Sequence, residues 1–197
     1  MQVSVWRVLV GALFFVMLSA CGELRFSQVA PDAGAFHPVR ICVLPVDPGA
    51  YKKEAKGRAG GLIVDVIKRK GWFSTVVSPE DVAGVMENNG KLKRAVTDYL
   101  SKLKEVHFSD PDISRYIGKT VHVDALLVVE VDFWHYTVQG DDKLAKVGFS
   151  MNLVEASTGK IMWKANHSDT KSYTWFKPDL VGFARGVAKD MISYMPH

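Results

Sequence analysis

The sequence predicts an α/β domain. A mixed sheet of about five strands begins as a βαβ unit and ends as an antiparallel meander, with helices packed on it. Three observations carry that prediction. Within about forty residues of Val39, an apolar run, an amphipathic helical period and a second apolar run follow one another. Capped helical periods then fill residues 78–118. From Ala125 onward, runs that alternate apolar and polar residues are joined by glycine-containing turns, as in hairpins.

A separate segment precedes the domain. Val8–Leu18 is apolar, Arg7 stands just before it, and no acid lies upstream. A basic start, an apolar stretch of about 7–15 residues and a small-residue exit is the layout of a secretory signal peptide. A spanning helix needs about 20 apolar residues. Leu18-Ser19-Ala20-Cys21 resembles a bacterial lipobox. The resemblance implies cleavage after Ala20, a diacylglycerol thioether on Cys21 and acylation, typically with palmitate, of the new amino group. Gly22 stands where an Asp in similar lipoproteins favours the inner membrane, so the implied address is the periplasmic face of the outer membrane. The expected division is a signal peptide over 1–20, a lipidated tether over 21–38 and a single periplasmic domain over 39–197.

The elements of that domain follow in order. "VRICVLPV" from Val39 reads as a buried strand ended by proline. Ala55, Ala59, Leu62, Ile63, Val66 and Ile67 recur at steps of three and four, predicting a helix over 53–70 that Gly71 stops. Gly57, Gly60 and Gly61 each weaken a helix interior by about 1 kcal/mol, so either close backbone approach to the sheet offsets them or the first turn is loose. "GWFSTVVS" supplies the second strand, parallel to the first. Ser78-Pro79-Glu80-Asp81 is a capped helix start, and Asn88-Asn89-Gly90 ends that helix. A second helical period runs from Leu92 to Val106, and a short third one starts at Asp110-Pro111 and is stopped by Gly118. Ala125–Val138 is a long strand. Residues 139–142 turn it into "LAKVGFSMNLVEA", and Ser157–Lys160 turn that into "IMWKANHS". The loop "KSYTWFKPD" then leads to a final helix with Leu180, Ala184, Val187, Ala188 and Met191 on its apolar side.

Charge and motifs exclude several function classes. Without residues 1–20, the remaining 177 residues carry 24 basic and 21 acidic side chains, an excess too mild to suggest nucleic acid. Cys42 would be the only thiol left, so no internal disulfide is expected; among strand residues it reads as a small buried hydrophobe. "GKT" at 118–120 lacks the glycine five residues upstream that a phosphate loop needs, since Ile113 stands there. The six histidines are scattered, and no serine has an evident base, so neither a metal nor a cofactor is expected. Two features remain as binding candidates. The basic segments "YKKEAKGR" and "KLKR" read first as solvated helix faces and second as contacts for lipid headgroups or acidic glycans. "SYTWF" places Tyr173, Trp175 and Phe176 in a loop that reads first as packing over the sheet and second, where its rings are exposed, as an anchor for a partner.

Four stretches together carry a family resemblance: "ICVLPVDP", "KRKGWFSTVVSPEDV", "ISRYIGKTVHVDALLVVEVDFW" and "MNLVEASTGKIMWKANHS". Over roughly residues 39–170 the chain resembles a superfamily of periplasmic domains on outer-membrane lipoproteins. That superfamily includes CsgG, LpoB and the N-terminal domain of TolB. In "LVEASTGKIMW", Gly159 permits the tight turn and Trp163 is expected to be buried under a helix. What the resemblance implies is a non-catalytic, lipid-anchored accessory protein of the bacterial envelope. Its expected partners are the membrane, through the anchor, and a protein of a peptidoglycan-synthase, transport or secretion complex, with self-association as a further expectation. The alternative is an enzyme or carrier acting on cell-wall or lipid substrates.

Overall fold

A computed structural model describes residues 24–55 and 57–197. The signal peptide, the lipobox and Cys21 lie outside the described residues. Among the described residues six strands form one sheet: β1 (Phe26–Val29), β2 (Arg40–Val43), β3 (Thr75–Val77), β4 (Ala125–Gln139), β5 (Asp142–Glu155) and β6 (Ile161–Tyr173). Their spatial order is β1-β6-β5-β4-β2-β3. β2 pairs in parallel with both β3 and β4, while β4, β5, β6 and β1 pair antiparallel. The expected βαβ start and meander end are both present. The helices are α1 (Lys52–Ala55), α2 (Arg58–Lys70), α3 (Pro79–Asn88), α4 (Gly90–Val106), α5 (Pro111–Val121) and α6 (Leu180–Ile192). Among the described residues no helix is long and apolar enough to cross a membrane.

The strand period of two divides the core between the two faces of the sheet. On one face Ile41, Leu127, Val129, Phe149, Met151 and Trp163 pack with Ile63 and Ile67 of α2 and with Ala184, Val187 and Met191 of α6. On the other face Cys42, Leu44, Leu126 and Val154 pack with Val82 of α3, Val96 and Tyr99 of α4, and Ile117 of α5. Trp163 is fully buried, as its place after the turn implied, and its indole N–H donates to Ser27 Oγ at 3.0 Å. Cys42 is also fully buried, and burial pushes its thiol up to about 12.

Four details differ from the sequence reading, each for a local reason. Residues 26–36, assigned to a tether, belong to the domain. β1 pairs along β6 from Phe26↔Asn166 to Val29↔Trp163, and Ala33 and Phe36 are buried. Short and solvent-facing, with two apolar and two polar residues, β1 gives no periodic signal; it makes the sheet six strands wide. The 53–70 helix is two helices, because Gly57 caps α2 at φ 73°. Gly118 lies inside α5 rather than ending it. A Cβ there would stand 2.6 Å from Ala156 Cβ, so glycine serves close approach, and His122 caps the helix at φ 58°. Finally, β6 continues to Tyr173, so that residue lies in the sheet opposite Lys143 and not in a loop.

Candidate functional site

Two surfaces stand out. The first is the aromatic end of the sheet, beyond the last turn of core packing. Residues 174–179 connect β6 to α6, and both ends of that connection are fixed. Asp179 caps α6 by accepting from Val181 N at 3.0 Å and Gly182 N at 2.9 Å. The Tyr136 hydroxyl donates to the Pro178 carbonyl at 2.6 Å, and the Tyr136 ring meets Tyr173 edge-on, with centroids 5.8 Å apart. Lys177 Nζ lies 4.9 Å from the Tyr136 ring centre. On this anchored base Trp175 and Phe176 are each 89% exposed, and Val138 in the outgoing end of β4 is 66% exposed. Single exposed apolar residues are ordinary; adjacent ones of this size on one sheet end make this a candidate contact surface.

The second surface is a groove of about 780 Å³ between α4 and the meander. The α3–α5 layer covers β2 and the start of β4 but stops short of β6 and β1. The sheet face left beside it carries alternate residues: Glu130, Ser150, Asn166 and Phe26 follow one another across four strands. The register shifts between Val131 and Phe133, a bulge that adds Asp132 to the cluster. Its carboxylate accepts from Ser150 Oγ at 2.9 Å and from Asn166 Nδ2 at 2.9 Å. Burial raises the Asp132 carboxyl above the usual range, and these donors oppose the rise without cancelling it. At the wall, Lys104 Nζ donates to Asp47 at 2.6 Å and Glu130 at 2.8 Å, tying α4 to β4 and the loop after β2. Burial pushes the Asp47 carboxyl up, but Lys104 and the Gly49 N–H outweigh it and hold it below the usual range. The groove offers hydrogen-bonding groups on a fixed floor. Among the described residues no group of three His, Cys, Asp or Glu side chains is placed to hold a metal.

A shallower cleft of about 560 Å³ at the opposite end is lined by Arg40, Arg115 and Lys119. Arg40 faces Asp124 at 3.4 Å, and Arg115 pairs with Asp112 at 3.0 Å, so both guanidinium groups already have carboxylate partners.

No family model matches the chain, and no curated protein matches it. Solved structures do. The PelC dodecamer from Paraburkholderia phytofirmans is 14% identical with a TM-score of 0.54, the match covering 85% of this chain and 93% of that one. Lipoprotein GNA1162 from Neisseria meningitidis is 16% identical with a TM-score of 0.51, covering 80% of this chain and 100% of that one. The fold is shared. At such identities the likeness extends to architecture alone. The C-terminal domain of LpoB from Salmonella enterica aligns over 66% of this chain and 82% of its own, with 14% identity and a TM-score of 0.42.

Of the residues singled out in the sequence, Trp175 and Phe176 are exposed in a loop as expected. Tyr173 is half-buried in β6, where its ring meets Tyr136 rather than joining the exposed pair. The two basic segments form no common patch. Ala55 of α1 packs on one face of the sheet and Leu92 of α4 on the other. The groove residues were missed. Ser150 and Asn152 alternate with Phe149 and Met151, which signals a polar face; only the placement of β1 and α4 makes that face a groove.

Proposed function

We propose that this chain is a lipid-anchored accessory protein of the bacterial envelope, facing the periplasm from the outer membrane and acting by contact rather than catalysis. The lipobox-like "LSAC" supports the anchor at Cys21, and Gly22 supports the outer-membrane address. The fold shared with a lipoprotein and with PelC, solved as a dodecamer, supports an envelope role and self-association as a working form. The observation that carries the reading is the aromatic end: Trp175 and Phe176 are 89% exposed on a base that hydrogen bonds hold still. An exposed pair of rings on such a base can contribute a few kcal/mol to an association. The envelope component contacted there belongs to a peptidoglycan-synthase, transport or secretion assembly, or to the membrane that carries it.

Amine-reactive crosslinking of intact envelopes tests the contact, since it captures proteins and amino-phospholipids alike. Trp175→Ala is expected to lower the adduct yield with an unchanged circular dichroism spectrum; an unchanged yield retires the aromatic end. Labelling with a palmitate analogue tests the anchor, and label retained by Cys21→Ala rules out acylation at that residue.

A further inference from the structure

Two adjacent rows of side chains pave the floor of the groove beside α4. One row crosses four strands as Phe26, Asn166, Ser150 and Glu130. The next, two residues along, sets Gln28, Lys164 and Asn152 side by side on β1, β6 and β5. All of them line the cavity. Neighbouring strands lie about 4.8 Å apart and alternate residues about 6.7 Å, so the rows form a platform roughly 14 Å by 7 Å. The volume of about 780 Å³ suits a ligand of several rings rather than one small ion.

Most charges around this platform are already partnered. Lys104 on the wall serves Asp47 and Glu130, at 2.6 Å and 2.8 Å. Asp132, beyond Ser150, accepts from Ser150 and Asn166, and Glu105 on the wall accepts from Ser101 Oγ at 2.8 Å. Lys164 differs: among the described residues it joins no ion pair. Half-buried between the amides of Gln28 and Asn152, it is a cation with further donors on either side, a setting for a carboxylate. The first row offers the opposite chemistry. Asn166 donates through Nδ2 to Asp132 and Ser150, which leaves its amide oxygen as an acceptor beside Glu130. Phe26, 48% exposed, ends that row with an apolar ring.

We infer that this groove binds a short acidic oligosaccharide, with a sugar carboxylate on Lys164 and ring hydroxyls on Asn166, Glu130 and Asn152. A saccharide presents adjacent hydroxyls, which a planar amide or carboxylate bridges through its two polar atoms. It also presents an apolar C–H face, which an exposed ring such as Phe26 covers. A peptide is taken differently, along an open strand edge or as a helix in an apolar groove. Here the floor is a sheet face paved with amides. The inference stands apart from the contact proposed for Trp175 and Phe176, which lie beyond the end of β6.

Isothermal titration of the full chain in detergent tests it with three probes. These are a uronic-acid trisaccharide, the same trisaccharide with its carboxyl groups reduced to alcohols, and trialanine with a free carboxylate. The uronate form is expected to bind, and the reduced form to bind about tenfold more weakly, the loss of one hydrogen bond to a charged group. Lys164→Gln should weaken the uronate form by about the same factor and leave the reduced form unchanged. Asn152→Ala should weaken both, with circular dichroism unchanged in each variant. Equal binding of the two trisaccharides overturns the place of the carboxylate on Lys164. Uronate affinity unchanged in both variants moves the binding out of the groove and overturns the site. Tighter binding of trialanine than of either saccharide overturns the ligand class, and no binding of any probe at millimolar concentration overturns the inference outright.

Discussion

Asp132 sits half-buried at the bulge of β4, and burial raises its carboxyl although Ser150 and Asn166 both donate into it. The sign of the consequence follows from proton counting. A carboxyl whose folded pKa exceeds its unfolded value favours the folded state when protonated and burdens it when ionised. The burden is complete above the folded pKa and disappears below the unfolded value near 3.8. Asp132→Asn is therefore expected to raise the thermal midpoint at pH 7, with the gap closing as pH falls toward about 4. A gap independent of pH would mean that hydrogen-bond geometry, not charge, sets the effect. Trp163, by contrast, carries no charge into its site, and its full burial makes it architecture.

At the scale of elements, α5 shows how one residue sets a packing distance. The helix lies on the β5–β6 turn, where Ser114 Oγ donates to the Ala156 carbonyl at 3.2 Å and Gly159 meets Pro111. A Cβ on Gly118 would stand 2.6 Å from Ala156 Cβ, against about 3.5–4.0 Å for comfortable contact between carbons. Gly118→Ala should then destabilise the domain by about 1–3 kcal/mol, the range for overpacking. Adding Ala156→Gly removes the clashing methyl, and the double variant should recover most of the loss in urea unfolding. No recovery would move the cause to the helix backbone. The neighbouring α3 needs no such contact to start. Ser78 and Asp81 form a reciprocal capping box, with Ser78 N donating to Asp81 at 3.0 Å and Asp81 N donating to Ser78 Oγ at 3.1 Å.

The whole molecule begins earlier in the chain than its apolar pattern does. β1 covers the free edge of β6, Ser27 accepts from the buried Trp163 indole, and Asp32 pairs with Lys160 across the β5–β6 turn. A protein beginning at residue 37 would leave β6 as a bare edge strand, remove the buried Phe36 ring and orphan the indole N–H. Relative to one beginning at residue 24, it is expected to lose about 2 kcal/mol or more, lowering the midpoint by roughly 4–8 °C. Equal midpoints for the two would return residues 24–36 to the role of a linker.

The sequence by itself determined the elements whose physics is local. The period of α2, the cap of α3, the turns at 139–142 and 157–160 and the alternation of β4 and β5 are all written within a few residues of where they act. The burial of Trp163 was readable because a strand after a tight turn goes inside; the connection at 174–176 was readable as a loop with some ring exposed, but that both Trp175 and Phe176 stand clear of the sheet was not. Tertiary structure alone decided the rest. Four exposed residues became β1 because β6 offered an unpaired edge. Gly118 stayed helical because Ala156 came within reach of it, and Tyr173 entered the sheet because Lys143 lies opposite. Asp132, Ser150, Asn166 and Lys104 are scattered along the chain and share a groove only because sheet register and one bulge align them. Contacts between distant residues depend on the register of strands and the seating of helices, and a linear pattern specifies which face a residue takes but not what it meets there.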